Sequence, residues 1–328
     1  MKKWITMLAA IVLISSLGGC ASSATPQSDS FQPQREVELV VPSAAGGGSD
    51  LHARTTADIV TKNSFMEKNF MVNNMPGGSG AVAYAYTAEK KNDDHVLTIM
   101  HSGQIMSTIV NGSPVTANDL TYIANVAFDN LTICVTKESP FKSIEELIEA
   151  AKQNPGTITM GGSQRGNSDH MALEMFNKYT GAQAAFVAFD SNGESLTALL
   201  GGHLDAGFFN PAECIGQVEA GELIPLVAYT NERMGGLFEN TPTFTEVGYP
   251  DLIFREVRGF LAPPEMSAAA VAYYEDVIKK VTETDEWLTD YIERNYLEPI
   301  YMNSKESREF FEQEIESYIA IFKDVGVM

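Results

Sequence analysis

A strand, three consecutive glycines and a helix start follow one another between residues 36 and 62, and this succession constrains the fold more than any other feature. The β-branched run EVELVV ends at Pro42, glycines occupy 46–48, and a helical pattern, LHARTTADIVTK, begins after Ser49 and Asp50. Glycine tolerates positive φ and lets another group approach the backbone closely. A helix start offers unpaired N–H groups and a partial positive charge, which together suit an anion. The alternative is an ordinary strand-to-helix turn without a ligand.

The N-terminal segment has the composition of an export signal rather than of a folded domain. Two lysines precede an apolar run over 4–17, and Leu-Gly-Gly-Cys ends at Cys20. This order is typical of a secretory signal, and small residues before a cysteine resemble a lipoprotein signal. The run is short for a membrane span, which needs roughly 20 apolar residues. We therefore expect a signal peptide over 1–19, lipid on Cys20 and a lipid-anchored tether over 20–34.

Charge and cysteine content exclude several classes of function. The formal net charge of −21 argues against non-specific binding of nucleic acid or of anionic lipid. A local anion site stays possible, because surface charges are screened beyond about 8 Å at physiological salt. Cys134 and Cys214 show no CxxC spacing, so one disulfide and two buried thiols both remain open. The histidines lack zinc spacing, and we predict no metal and no cofactor.

Strand and helix patterns alternate along the rest of the chain. This alternation predicts an α/β fold with mainly parallel sheets. We expect two lobes, the first formed by 35–130 plus 255–328 and the second by 131–254. Two crossings between the lobes, near 128–130 and 256–259, would form a hinge beside a cleft.

Pro211 is expected in the first turn of a helix. We expect final helices over roughly 268–282, 286–295 and 305–324, and these helices should pack back on the first lobe.

Turns rich in glycine and serine recur where the predicted strands end. They occupy 43–50, 76–80, 101–103, 161–168 and 190–193. In open α/β sheets such carboxyl-end turns line the ligand crevice. Their backbone amides and hydroxyls can hold a carboxylate without a formal positive charge.

Charged residues beside these turns allow more than one interpretation. Arg165 could pair with a ligand carboxylate in a bidentate manner, or could be a solvated loop charge. Asp190 would repel a carboxylate unless it accepts from a ligand hydroxyl. Arg258, at the second crossing, could meet the ligand or form a salt bridge. Arg54 is expected to pair with Asp50 at i, i+4.

Enzyme motifs match poorly. The P-loop would require a lysine after Gly48, and the dinucleotide fingerprint lacks its third glycine. A secreted serine hydrolase remains an alternative, with Ser79 or Ser163 as nucleophile and His101 or His170 as base. We predict that the chain is not an enzyme.

Five segments in order resemble one known family. They are VPSAAGGGSDLHAR, NNMPGGSGAVAY, GGSQRGNSDHMALEMF, AFDSNGESLTALLGGHLDAGF and ENTPTFTEVGYPD. They are similar to loops of the extracytoplasmic solute receptors of tripartite tricarboxylate transporters, often called Bug-type receptors, over nearly all of 36–328. The resemblance implies a two-lobed periplasmic-binding-protein fold of type II, with a small organic carboxylate as ligand and membrane transporter subunits as partners.

The resemblance also implies which loops hold the ligand. The positions that match the family's loops are Ser43, Ala44, Gly48, Ser49, Asp50, Gly77, Gly78, Ser163 and Ser168. The residues themselves add Ser102, Arg165 and Asp190 as candidates. Ser43 departs from the common phenylalanine, and Asp190 begins a segment that replaces a tyrosine-lysine pair.

The segments FDSNGES and VRGFLAPPEM resemble the tricarboxylate branch and favour a citrate-like ligand. We expect a monomer, extracytoplasmic and anchored by lipid. A sensor that reports ligand occupancy to a signalling system is left open.

Overall fold

Two β-sheets, each flanked by helices, form the two lobes of the protein. The computed structural model describes residues 31–328. The predicted signal peptide, Cys20 and most of the tether lie outside the described residues. The eleven strands of the described part are β1 (Val37–Val41), β2 (Phe70–Asn74), β3 (Val96–His101), β4 (Thr121–Asp129), β5 (Thr132–Thr136), β6 (Thr159–Ser163), β7 (Ala185–Phe189), β8 (Ala206–Phe209), β9 (Leu223–Ala228), β10 (Glu256–Ala262) and β11 (Glu298–Met302).

Nine α-helices of the described part connect and cover these strands. They are α1 (Gly48–Lys62), α2 (Ala81–Glu89), α3 (Ser102–Val110), α4 (Ile144–Gln153), α5 (Ser168–Thr180), α6 (Asn192–Leu200), α7 (Pro211–Glu219), α8 (Ala268–Thr282) and α9 (Ser304–Asp324). The predicted helix at 286–295 forms instead as a π-helix, Glu286–Ile292, followed by a 3₁₀ turn, Glu293–Asn295. Residues 298–302, for which no element is predicted, form the edge strand β11.

The strand orders confirm two lobes and show that both sheets are mixed. The first sheet has the order β11-β4-β10-β3-β1-β2 and the second β7-β6-β8-β5-β9. In the first sheet β1 pairs in parallel with β2 and β3, whereas β10 is antiparallel to β3 and β4. In the second, β6 is parallel to β7 and β8, and β5 is antiparallel to β8 and β9. The sheets are thus less parallel than predicted, because β10 and β5 run against their neighbours.

The chain passes from one sheet to the other twice, and both passages lie beside the cleft. It leaves the first sheet between Asp129 and Thr132, and it returns between Ala228 and Glu256. The predicted crossing near 128–130 lies at the first passage, and the one near 256–259 lies just after the second, at the start of β10. The exact lobe boundaries stay a prediction. Strand β1 is buried on both faces, with Val37, Leu39, Val40 and Val41 at 0% exposure, as is typical of a central strand covered by helices.

Helix α9 does not pack on the first lobe alone. Phe311 and Ile315 join a core cluster of the first lobe. One to two turns later, Tyr318, Ile321 and Phe322 join the main core of the second lobe. Helix α9 therefore packs on the first lobe with its first half and, beyond what was expected, enters the core of the second lobe with its last turns.

Two further sequence expectations concern the described residues. Cys134 and Cys214 are both free thiols and both buried, so the disulfide alternative is not realised. Among residues 31–328, none of the helices combines the length and the apolar character needed to cross a bilayer.

Candidate functional site

Four helix N-termini converge on a polar cavity of about 250 Å³ between the lobes. Each helix follows a strand almost directly, so its first turn lies at the carboxyl end of a sheet. The first lobe contributes α3, and the second contributes α5, α6 and α7. All four are nine residues or longer. The cavity is lined by Ser79, His101, Gly103, Gln104, Ser107, Ser163, Gln164, Asn167, Ser168, Asp169, Asp190, Ser191, Asn192, Asn210, Glu213 and Glu256.

On the first lobe, His101 ends β3 and caps α3. Its Nδ1 accepts from the backbone N–H of Gly103 at 3.3 Å. Because Nδ1 is an acceptor, the proton of the neutral ring lies on Nε2. Nε2 lies 3.7 Å from Oε1 of Glu256 and 3.9 Å from Oδ2 of Asp129. The imidazole therefore presents a donor to the acidic side of the cavity.

On the second lobe, a network of hydrogen bonds fixes the loop between β6 and α5. Asp169 Oδ2 accepts from the backbone N–H of Ser163 at 2.7 Å and from its hydroxyl at 3.0 Å. Asn167 Nδ2 donates to Ser163 Oγ at 2.6 Å, and Asn167 Oδ1 caps α5. At Gly162, a Cβ would lie only 2.5 Å from that of Asp169. A glycine is therefore required for the aspartate to reach this position.

A buried ion pair lies beneath the cavity at the two crossings. Arg258 Nε donates to Asp129 Oδ2 at 2.9 Å, and its Nη2 contacts the same oxygen. Burial alone would raise the pKa of Asp129, but the charge of Arg258 and the contact with His101 hold it below its ordinary value. A Cβ on Gly48 would lie 2.9 Å from Arg258 Nη2. The glycine loop thus packs directly against this guanidinium.

Glu256 and Ser102 connect the ion pair to the cavity wall. Glu256 Oε2 accepts from Asn210 Nδ2 at 2.7 Å. Ser102 is fully buried, and its hydroxyl accepts from the backbone N–H of Val257 at 2.7 Å. Both contacts tie β10 to helix starts, Ser102 to α3 and Asn210 to α7.

Several residues that line the cavity carry a buried polar atom without a partner within the described part of the chain. These atoms include the hydroxyls of Ser107 and Ser168, Oε1 of Gln104 and Oδ1 of Asn192. Ser107 is 1% and Ser168 2% exposed. Buried polar groups are nearly always hydrogen-bonded in proteins. Their arrangement around one cavity therefore indicates a polar ligand.

Acidic side chains dominate the wall. Burial, followed by the charge of Glu256, raises the pKa of Asp169 to about 7. Removal from water and the charge of Asp169 likewise raise the pKa of Glu213. Glu213 keeps solvent exposure at the cavity rim, so water screens it more than it screens Asp169.

The predicted site residues fall into two groups. Ser163, Ser168 and Asp190 line the cavity, Ser102 lies directly behind it, and Gly48 contacts Arg258. The others lie outside the cavity wall: Ser43, Ala44, Ser49, Asp50, Gly77, Gly78 and Arg165. Their role in binding stays a prediction.

Asp50 stabilises the glycine loop itself. Its Oδ2 accepts from the backbone N–H of Gly46 at 2.8 Å and from Arg54 Nε at 3.0 Å, while Oδ1 accepts from Asn74 at 2.9 Å. These contacts confirm the predicted pairing with Arg54. The hydrogen bond from Arg54, with those from Gly46 and Asn74, lowers the pKa of Asp50 to about 2.

The loop 76–80, between β2 and α2, meets the second lobe across the cleft. Ser79, which has a positive φ of 52°, contacts Gln164 Oε1 through its hydroxyl. This contact closes one side of the cavity.

Sequence reasoning missed several lining residues because their signal is positional. These are Gln104, Ser107, Asn167, Asp169, Asn210, Glu213 and Glu256. Most lie in the cap or first turn of a helix that follows a strand. Polar residues at those positions, rather than glycine and serine, mark five of the seven, whereas Ser107 in the second turn of α3 and Glu256 on β10 carry no such signal.

The hydrolase alternative required a serine beside a histidine. Ser163 Oγ bonds to Asp169 and Asn167 instead. His170 is 2% exposed, its Nδ1 accepts from Gly166 N–H at 3.1 Å, and its ring stacks on Phe186. His170 is thus a packed residue of the second lobe.

A larger groove, about 720 Å³, lies where 230–236 approach 293–299. It is not formed by converging helix starts. Tyr296 crosses it, with its hydroxyl accepting from the backbone N–H of Leu237 at 3.3 Å. The smaller cavity between the lobes is therefore the candidate ligand site.

Two lobes that enclose a polar cavity at converging helix starts define a solute-binding protein. Comparison with known proteins specifies the family: residues 53–327 match the tripartite tricarboxylate transporter family receptor. The chain therefore belongs to this receptor family. Its members bind solutes and are not enzymes, as the sequence predicted.

Individual relatives are consistent with this assignment. The chain is 29% identical over 316 residues to the Cupriavidus necator "UPF0065 protein in gbd 5'region", covering 95% of this chain and 94% of that one. It is 22% identical to "Protein BugT" of Bordetella pertussis, covering 98% and 99%.

Solved structures show the same fold. An R. palustris protein solved with adipate has a TM-score of 0.78 and 25% identity, covering 90% of this chain and 98% of that one. A ligand-free TctC solute-binding protein from Polaromonas has a TM-score of 0.73 and 24% identity, covering 90% and 100%.

Proposed function

We propose that this protein binds a small organic carboxylate between its lobes and delivers it to the membrane subunits of a tripartite transporter. The observation that carries the proposal is the convergence of four helix N-termini on one polar cavity with unpartnered hydroxyls. Helix N-termini bind anions through their free N–H groups and their dipoles. The adipate found with the R. palustris relative supports a carboxylate of this size.

The finer parts of the proposal rest on sequence. A citrate-like ligand is favoured by the segments that resemble the tricarboxylate branch. The Leu-Gly-Gly-Cys sequence supports processing before Cys20 and anchoring by lipid on the extracytoplasmic side. Mass spectrometry of the mature N-terminus, compared with a Cys20→Ser variant, tests the anchor. An unlipidated Cys20 in the mature wild-type protein would contradict it.

Calorimetric titration of the purified protein with mono-, di- and tricarboxylates tests the binding proposal. Ser168→Ala removes one unpartnered hydroxyl and is expected to weaken binding roughly 2–10-fold, the value of one hydrogen bond. Ser317→Ala, in which an exposed hydroxyl of α9 is lost, should bind like the wild type. A folded protein that binds no carboxylate of the panel would contradict the proposal.

Transport itself needs a cellular measurement. Deletion of the gene should abolish uptake of the bound carboxylate, and expression of the wild-type chain should restore it. Normal uptake combined with a lost transcriptional response would instead favour the sensor alternative.

A further inference from the structure

The charges that face the cavity are out of balance for a purely anionic ligand. Four carboxyl groups line it, those of Asp169, Asp190, Glu213 and Glu256. Within residues 31–328, no lysine or arginine lines it. A ligand with two or three negative charges would meet this wall with helix dipoles, hydroxyls, amides and the His101 ring in its favour, but with no lysine or arginine.

The helix dipoles do not remove the imbalance. Each helix N-terminus is equivalent to roughly half a positive charge, so four supply about +2 against four carboxyl groups. Two of those carboxyls, on Asp169 and Glu213, already lie in first turns and interact with their own helices. Arg258 adds no net charge, because Asp129 pairs with it below the cavity.

The nearby group of His101, Asp129 and Glu256 is not arranged for a metal ion. Their ligand atoms lie within 4.8 Å of one another. However, His101 Nδ1 accepts a hydrogen bond, so Nε2 carries the proton and lacks the lone pair that a metal needs. Arg258 occupies one oxygen of Asp129, and Asn210 one oxygen of Glu256.

An ammonium group fits the wall better. It is a compact cation with donors only, and the wall offers many acceptors. Besides the carboxylates, Gln104 and Ser168 line the same cavity, and Oε1 of Gln104 and the buried hydroxyl of Ser168 have no partner within the described residues. A carboxylate at the helix N-termini and an ammonium at the acids would satisfy both kinds of group.

We propose that the ligand carries a protonated amine beside its carboxylate, and that Asp169, Glu213 and Glu256 receive the amine. This inference rests on the proposed function, because it specifies which carboxylates the same cavity takes.

The protonation of the acids gives the proposal a distinctive pH dependence. Asp169 faces Glu256 on β10 and Glu213 on α7. It also accepts hydrogen bonds from Ser163 in the loop between β6 and α5. The remaining charged or titratable groups near them are His101, Asp129, Asp190, Glu194, Arg258, Tyr229 and Tyr318. Because the pKa of Asp169 is about 7, its charge grows between pH 6 and pH 8.

Calorimetric titration of the purified full chain with matched acids tests the proposal. The first series is 6-aminohexanoate, adipate and hexanoate, and a shorter one is 4-aminobutyrate, succinate and butyrate. At pH 8 the amino acid of at least one series should bind at least about tenfold tighter than its two partners, as expected for a charge-assisted hydrogen bond. Its affinity should rise from pH 6 to pH 8, since the amine stays protonated, with a pKa near that of lysine, about 10.4.

Two variants assign the effect to the wall. Glu213→Gln should weaken binding of the amino acid about tenfold and leave the dicarboxylate unchanged or bound more tightly. Asp190→Asn removes another charge of the wall, and it should weaken binding of the amino acid less than Glu213→Gln, because Asp190 is exposed and is not among the three acids that receive the amine. Glu219→Gln, at the exposed far end of α7, is the matched control and should change nothing.

The outcomes separate this inference from the proposed function. If the dicarboxylate binds more tightly than the amino acid, and more weakly as pH rises, the acids act as protonated donors to an anion. The inference then fails while the proposed function stands. If no member of either series binds to folded protein, the result counts against both.

Discussion

At the scale of single residues, the site depends on a pair of charged side chains that are buried next to each other. Asp129 and Arg258 are 0% and 9% exposed, and their pairing fixes the guanidinium against Gly48. A buried pair adds little net stability because both ions are desolvated, but removing one partner leaves the other unpaired. The pair therefore controls the geometry of the cavity floor.

We expect Asp129→Asn to lower the free energy of unfolding by about 3–5 kcal/mol, because it leaves Arg258 buried without a counter-charge. Urea denaturation measures this change. In Asp276→Asn, the exposed i, i+4 pair with Lys280 is lost, and the cost should be only about 0.3–0.5 kcal/mol. Equal costs for the two variants would contradict the role of the buried pair.

Asp169 is expected to make unfolding of the unliganded protein depend on pH. Burial raises its pKa from 3.8 to about 7, so between these values the folded state holds a proton that the unfolded state has released. Stability from this group is therefore complete below pH 4 and is lost as pH rises to 7. Relative to the wild type, Asp169→Asn should gain stability over this range, by at most about 1.4 kcal/mol per pH unit. Urea midpoints at several pH values test this, and a difference that does not vary with pH would refute it.

At the scale of elements, the pattern of helices was largely predictable and the strand directions were not. The predicted helix over 268–282 coincides with α8, and Pro211 does open α7, because both starts are encoded by local residues. Strand β11 contains Pro299 and forms only as an edge partner of β4, a pairing that no local pattern reveals. Likewise, β10 is antiparallel to β3 and β4, because the chain enters it on its return from the second lobe.

The site was predictable to the extent that it consists of turns. Ser163 and Ser168 were found because glycine and serine mark strand ends. Asp169 and Glu213 were not predicted, because their signal is only a position in the first turn of a helix, and Glu256 lies on a strand that carries no such signal. Their approach to one another depends on the packing of the two lobes, which the sequence alone does not specify.

Helix α9 should stabilise both lobes, because its apolar side chains enter both cores. Phe322→Ala in the second-lobe half and Phe311→Ala in the first-lobe half should each cost about 3–5 kcal/mol, since both rings are fully buried. Calorimetry should show one shifted transition for either variant if α9 couples the lobes. Two separate transitions, with only one of them shifted, would show that the lobes unfold independently.

At the scale of the whole molecule, the lobes are connected by two passages and meet across the cleft through Ser79 and Gln164. Solute must enter by separation of this contact if the lobes close as in hinged binding proteins. The contact thus gives a means of holding the cleft closed.

In the Ser79→Cys/Gln164→Cys double variant, an oxidised cross-link should slow ligand association at least about tenfold, because entry would require the lobes to separate. Stopped-flow binding before and after reduction measures the effect, and each single variant is a control. Unchanged association in the cross-linked protein would show that solute enters by another path.

The position of α9 also determines what a cut in the polypeptide would do. A protease that cleaved between β9 and β10 would sever one passage, yet Tyr318 and Phe322 would remain embedded in the far lobe. The two fragments should then co-migrate under native conditions. The nicked receptor should therefore still behave as one cooperative unit. Because α9 is buried in the cores of both lobes, it should also limit the angle to which the lobes can open.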